Sequence, residues 1–540
     1  MRKEGILRLS AKGELAMYSH NYDVIIAGSG LAALSAAARL IELGISRIGL
    51  FSTAFGGTPY IAAINFVLPD NPYGDTPELY CRDMLEAGYW INDRSIVENM
   101  TKKTAQGYEL LCRWGIEFAR TSDGTLVRRR TSGSSFPRSL CRTTELVGQH
   151  IEQVMKPMLI KKGVDFHTVV EIVNLIVEED KVIGFLLKGK DGSLHPVCAS
   201  YVIAAWGGVG TLLGKSTYPS DVNGRTFAMA FEAGADLSDF EFLEYEPMVV
   251  LYPEKAFGEP CPTAMLAEGA YLLNTNNERF LLKARPEGEA GAPKSLINKA
   301  IWKEVEEKRG TEHGGVYVDI RHIDRKTVRS YPWFCDRLES SGINPHEQLI
   351  EVGPVPHSFS GGVKVDPGCC SSVKGLYAIG EAAAGFHGAC RIGGNAASQA
   401  VLSGLMCAED IAKKGIERID LHHNDFIYHE DIQIRHKLSE EINRTSKALG
   451  IYRNEKELLA SIDCLENIKY SYDLEADTYT KHRLTTILLM LTAALARKES
   501  RGSHMRTDYP EMNKNYLKSI ILSNNNKGGV VISEEPRYSI

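Results

Sequence analysis

The clearest pattern in the chain is a short apolar run, "YDVIIA" (22–27). It stops in glycines and hands over to a stretch with apolar residues at Leu34, Ala37, Ala38, Ile41 and Leu43. That switch predicts a strand, a tight turn and a helix, and "SRIGLFST" supplies a second strand. A βαβ unit of this size opens a doubly wound sheet. From 98 to 120 the pattern predicts an amphipathic helix running into a strand. Residues 164–206 alternate, which predicts a β-meander returning to a buried strand that ends in the glycines of "AAWGGVG". Residues 239–351 mix short strands, Pro and Gly turns and one helix over 294–308. They read as an insertion, because "GLYAIGE" (375–381) resumes the strand-then-glycine style. Beyond about 418 the pattern is helical and charged, predicting a small bundle that ends near Lys498.

Composition narrows the classes. A net charge of −6 gives no general attraction to nucleic acid or anionic membrane. The "RRR" run at Arg128–Arg130 is short enough for a solvated turn. Eleven cysteines contain no CxxC pair, so no iron–sulfur, zinc or haem motif is legible, and an odd count suits reduced thiols. The opening "MRKEGILRLSAKGELAMYSHNYDV" lacks an apolar core of signal-peptide length. The longest apolar stretch near the C-terminus, Leu484 to Ala496, is shorter than the roughly 20 residues of a membrane span. The expectation is a cytoplasmic protein without direct membrane insertion.

The turn at 28–33 has the form GxGxxA. Gly28 permits the tight turn, Gly30 lets backbone approach a pyrophosphate, and the helix N-terminus beginning at Leu31 and Ala32 faces the anion. The second strand ends in Ser52 and Thr53 where an acidic ribose ligand is usual, and their hydroxyls take that part. Further strand ends carry Gly207, Gly208 and Gly380, spread widely enough to suit a long cofactor such as FAD. Glu381 is placed to accept from ribitol or ribose hydroxyls, or to stabilise a helix N-terminus. In "GACRIGGNAASQA" (388–400) Arg391 stands among small residues, which leaves room for an anionic ligand; a solvated surface arginine is the other reading.

Four ordered segments, "YDVIIAGSGLAALSAA", "PHSFSGGVKVD", "GLYAIGEAAAGFHGACRIGGN" and "ARKESRGSHMRTDYPE", resemble the flavoprotein subunits of succinate dehydrogenase and fumarate reductase, and L-aspartate oxidase. The resemblance runs from about 21 to 511. It implies an α/β fold: a doubly wound, Rossmann-like FAD-binding domain (21–238 and 352–417), an inserted α+β capping domain (239–351), and a C-terminal helical domain and tail (418–540), after an N-terminal tail (1–20). It adds Thr58, Asn395 and Ala396 to the cofactor-binding set. It maps the family's substrate-carboxylate ligands onto His357 and Arg391, a guanidinium being able to grip a carboxylate through two parallel bonds.

The other half of the family's site departs from the pattern. Glu246 in "EFLEYEPMV" stands where a histidine is expected, Pro262 and Thr263 where a threonine–glutamate pair is expected, and Lys294 where the proton-transferring arginine is expected. Thr263 and Glu246 remain substrate-binding candidates, and Lys294 remains catalytic with His357 and Arg391. A second carboxylate beside Glu246 is costly in a dry site, so fumarate is disfavoured as substrate. Alternatively Glu246 pairs with Lys294 or another cation of the cap and never meets substrate. Membrane-bound members of the family link FAD through a histidine. The comparable stretch here, "FGGTPYIAAINF", has Gly57 near that place and no histidine lies between His20 and His150, so the resemblance implies a non-covalent FAD. The functional expectation is a FAD-dependent oxidoreductase acting on a carbon–carbon bond next to a small substrate's carboxylate, with an iron–sulfur or other electron-transfer protein as partner. An L-aspartate-oxidase-like amino-acid oxidase and a flavin-binding protein with a degraded site are the alternatives.

Overall fold

The computed structural model describes residues 6–7, 22–54, 56–143, 145–190, 192–417, 419, 428–525 and 528–537. The expected N-terminal tail lies outside them, except for the two-residue strand Ile6–Leu7, which pairs antiparallel with Tyr428–His429.

The expected βαβ start is present. The strand Tyr22–Ala27 is buried along its whole length and is followed by the helix Leu31–Glu42 and the strand Ile48–Ser52. Four parallel strands run in the order Asp165–Thr168, Ile48–Ser52, Tyr22–Ala27, Leu194–Ala204, and Leu376–Ala378 also pairs parallel with the last of these. Leu194–Ala204 is long enough to serve twice. Its first half closes an antiparallel meander with Lys181–Lys188 and Glu171–Glu178, and its second half enters the parallel sheet. Consecutive buried residues such as Val202, Ile203 and Ala204 follow from a sheet covered on both faces. The strand ends therefore collect their glycine turns along one edge, where doubly wound folds bind ligands.

Residues 98–120 differ from expectation. They contribute to two helices, Arg94–Lys102 and Thr104–Arg113, and no strand follows. The nearby strand Ser139–Cys141 has its edges taken by Ala63–Asn65 and Arg128–Arg129. Ala119 is left with single bonds to Cys141 and Val127.

A separate four-stranded antiparallel sheet, Leu243–Tyr252, Ile350–Phe359, Val316–Asp319 and Tyr271–Leu273, packs with the helices Lys294–Glu306 and Pro332–Ser340. Its hydrophobic cluster, including Val250, Ile297, Ile301, Val318, Phe334 and Val352, is distinct from the main core. This capping sheet shares its longest strand pair with the edge of the main body, where the candidate site lies.

Helices Ile432–Thr445, Glu455–Ser471 and Thr478–Ala496 follow. The chain beyond Lys498 is more than the expected tail. Lys518–Asn524 and Val530–Pro536 form a hairpin that pairs with Leu237–Ser238 and so returns to the main body. Burial of Ile520, Ile521 and Leu522 drives that return. Among the described residues no helix is long and apolar enough to cross a membrane.

Candidate active site

The cofactor loop is built around close backbone approach. Gly28 has φ of 131°, and a Cβ there would lie 2.2 Å from the Ala205 carbonyl oxygen, so only glycine fits. Gly30 ends the turn and caps the helix that starts at Leu31. The Leu31 amide donates to the Thr58 hydroxyl at 2.8 Å, so Thr58 acts on the helix N-terminus and Leu31 is already satisfied. Ser52 donates to Ser29 at 2.8 Å, and Ser29 donates to the Ala54 carbonyl at 3.0 Å, while Thr53 is exposed. The ribose role expected of Ser52 is thus in competition with a local hydroxyl chain.

Gly380 brings the third strand end against the first turn. Its φ is 60°, and a Cβ there would come within 2.9 Å of that of Ala32. Glu381 is half-buried, accepts at Oε1 from Tyr218 and from the Phe359 amide at 2.8 Å, and has its carboxyl pushed up by loss of solvent around it. A Cβ on Gly208 would press to 2.7 Å of the Glu381 carboxyl carbon, which explains a glycine there, and Gly207 beside it turns with φ of 78°. Asn395 opens the helix Asn395–Lys414 after Gly394, with Ala396 next. Two buried donors in these segments, Asn395 Nδ2 and Trp206 Nε1, have no protein partner among the described residues. Orphaned buried donors of this kind call for a ligand with acceptors. With the glycine turns, they fit an extended dinucleotide such as FAD.

Next to this edge, two ion pairs meet. Glu244 pairs in the sheet with Ser358 and Tyr245 with Pro356, so His357 is the extra residue of a β-bulge. Bulges re-aim side chains, and here the His357 ring comes 3.8 Å from Glu246. Its other nitrogen hydrogen-bonds Thr217 Oγ1 at 2.8 Å. Loss of solvent holds the His357 pKa down to about 3 against the opposing pull of Glu246, with Lys294 and Arg391 adding to the lowering, so the ring is neutral at physiological pH. Lys294 is the first residue of its helix, a poor place for a cation beside the positive dipole end. Glu246, two residues along the strand from Glu244, offsets this by accepting from Lys294. Burial works to raise the Glu246 carboxyl, but Lys294, with Arg391 behind it, outweighs this and holds the group below the usual carboxylate range. Of the expected alternative, the pairing of Glu246 with Lys294 is present.

Arg391 departs from expectation. Its sequence neighbours are small, yet the strand 147 residues earlier supplies a partner. The Arg391 amide donates to Glu244 Oε1, and its guanidinium lies 3.6 Å from Glu244 Oε2 and donates to Ser358 at 3.1 Å. The Arg391 side chain is only 6% exposed, so the surface reading fails. Thr263 begins a short 3-10 turn and is half-buried, but has no side-chain hydrogen bond to this cluster among the described residues. Sequence reasoning missed Glu244, Ser358, Thr217 and Tyr218. For Glu244 the signal was present: in "EYE" the two glutamates are two apart on one strand.

A family model for an FAD binding domain matches residues 23–397, and one for the fumarate reductase flavoprotein C-terminus matches 440–538. The chain belongs to this flavoprotein family. It is a FAD-dependent oxidoreductase. One subunit of the fumarate reductase (CoM/CoB) from Methanothermobacter marburgensis is 30% identical over 93% of this chain and 97% of its own length. An L-aspartate oxidase from Saccharolobus solfataricus is 31% identical over 90% of this chain and 96% of its own. A variant of E. coli quinol fumarate reductase shares the fold, with a TM-score of 0.84 at 23% identity over 96% of this chain and 97% of that one.

Proposed function

We propose that this flavoprotein oxidises or reduces a carbon–carbon bond beside the carboxylate of a small substrate other than fumarate. The observation that carries this is the pairing of both site cations: Arg391 with Glu244, and Lys294 with Glu246. A dicarboxylate would add two negative charges to a buried site that is already balanced, whereas a monocarboxylate adds one.

Bound FAD supplies two-electron chemistry. We assign its contacts to Gly28, Gly30, Ala32, Gly207, Gly208, Gly380, Glu381, Asn395 and Ala396, and its attachment as non-covalent. Arg391 and the neutral His357 orient the substrate carboxylate. Lys294 Nζ gives or takes the proton at the carbon being saturated or desaturated, and Glu246 holds that ammonium in place and favours its charged form. The capping sheet keeps water from this exchange. Electrons reach or leave through a separate carrier, for which an iron–sulfur protein is the natural class; relatives named as subunits of larger enzymes fit this reading.

An amino-acid oxidase is the second reading, favoured by the L-aspartate oxidase relative and by Glu244, whose carboxylate can receive an ammonium. The deciding experiment is anaerobic. Protein reduced with dithionite is mixed with fumarate and flavin absorbance is followed. Silence with the flavin still bound supports the proposal, and rapid reoxidation overturns it. Fast reoxidation by air, with hydrogen peroxide formed from an amino acid, supports the second reading.

A further inference from the structure

We propose that Glu244 is a specificity-determining residue, selecting a substrate that carries a hydroxyl or ammonium close to its carboxylate. This rests on the reading of Arg391 as the carboxylate anchor and narrows it to a substrate class.

Both oxygens of Glu244 face Arg391. Its Oε1 takes the Arg391 backbone amide, while its Oε2 stands 3.6 Å from the guanidinium and has no hydrogen bond among the described residues. Glu244 also lines a cavity of about 30 Å³, among Leu243, Tyr245, Lys294, Asn298, Ile451 and Met505. Such a space admits a substituent of one or two heavy atoms, since about 10–15 Å³ suffices for a water. A substrate carboxylate gripped by Arg391 shares that guanidinium with Glu244. Its oxygen at about 2.9 Å from the nitrogen puts the two carboxylates within about 6.5 Å of each other. The shared guanidinium offsets only part of the repulsion between two anions so placed, and a donor on the substrate relieves the rest.

A hydroxyl or ammonium one or two bonds from the substrate carboxyl carbon reaches that position and satisfies Oε2. A second carboxylate meets Glu244 directly. Lys294 cannot relieve the clash without abandoning Glu246, which is buried and has its charge held by that lysine.

The test is calorimetric titration of the FAD-loaded protein with acetate, glycolate, glycine and malonate. Wild type is expected to bind glycolate or glycine at least about tenfold more tightly than acetate, the value of one hydrogen bond to a charged group, and malonate no more tightly than acetate. Glu244→Gln keeps an acceptor for the Arg391 amide; it is expected to lose the donor preference and tighten malonate about tenfold or more. Equal affinity of wild type for all four, no binding of any at millimolar concentration, or an unchanged malonate affinity in the variant overturns the proposal. If Glu244→Gln does not retain FAD, the wild-type ratios decide alone. Arg391→Gln separates the two readings. Loss of all binding supports the anchor, so that a failure at Glu244 then counts against this inference only; retained binding overturns the anchor itself.

Discussion

Lys294 and Glu246 form an ion pair across the capping layer, one from the first turn of a helix and the other from the adjacent strand, with Glu246 only 7% exposed. Each corrects a fault in the other: the lysine sits at the wrong end of a helix dipole, and the glutamate is buried. The pair is therefore both a structural joint and the candidate proton donor with its support.

These two roles separate by substitution. Lys294→Met leaves Glu246 buried and unpaired, and is expected to lower unfolding free energy by about 2–3 kcal/mol, reduced from the fully buried case because Lys294 is partly exposed. Adding Glu246→Gln should restore most of the stability in denaturant titration. Turnover should stay about 10²-fold or more below wild type in both, as expected for loss of a general acid.

His357 makes stability depend on acid. Its pKa is about 3 in the folded protein and about 6.5 unfolded, so between those values the unfolded chain binds the extra proton. Its stabilisation is full above about pH 6.5 and falls with acidification toward pH 3, by about 1.4 kcal/mol per pH unit. His357→Gln should lose this component. The stability difference between wild type and variant, measured by thermal melts from pH 7 to pH 5, should shift against wild type as pH falls.

Thr58 supports the cofactor loop from outside the glycine motif. Thr58→Val removes the acceptor for the Leu31 amide and is expected to cost about 1 kcal/mol. Comparison of melting temperatures with and without added FAD checks whether the cofactor's phosphates take over that amide. If they do, the deficit is smaller in the FAD-loaded protein.

FAD should come away without cleavage of a bond. Gly57 is exposed in the loop that leads to Thr58, and no histidine lies between His20 and His150. Acid precipitation should leave all the flavin in the supernatant. A yellow pellet that fluoresces on a denaturing gel would contradict this.

Arg497 ties the C-terminal segment to the body. Fully buried, it donates to Glu241, Glu499 and the carbonyls of Tyr516 and Lys518. Burial pushes the Glu241 carboxyl up to about 7, with Arg497 opposing that shift. Arg497→Met is expected to cost about 3–5 kcal/mol and to increase amide exchange in Lys518–Asn524 first.

The sequence by itself determined the parallel start of the sheet, the meander, the FAD-binding turns and the family. Each of these is written in consecutive residues: the apolar run 22–27, the glycines at 28 and 30, the alternation over 164–206. It also placed His357, Arg391, Glu246 and Lys294 as one candidate site, through resemblance and not through spacing. Tertiary structure alone decided who pairs with whom. Small neighbours around Arg391 suggested an empty partner position, but Glu244 comes from a strand 147 residues away. The bulge that turns His357 toward Glu246 depends on the register between two strands about a hundred residues apart. The C-terminal hairpin is pinned by a two-residue strand at Leu237–Ser238. A charge carries no record in local sequence of what will neutralise it, because in a folded chain the partner is set by packing of distant elements, and burial makes that pairing obligatory.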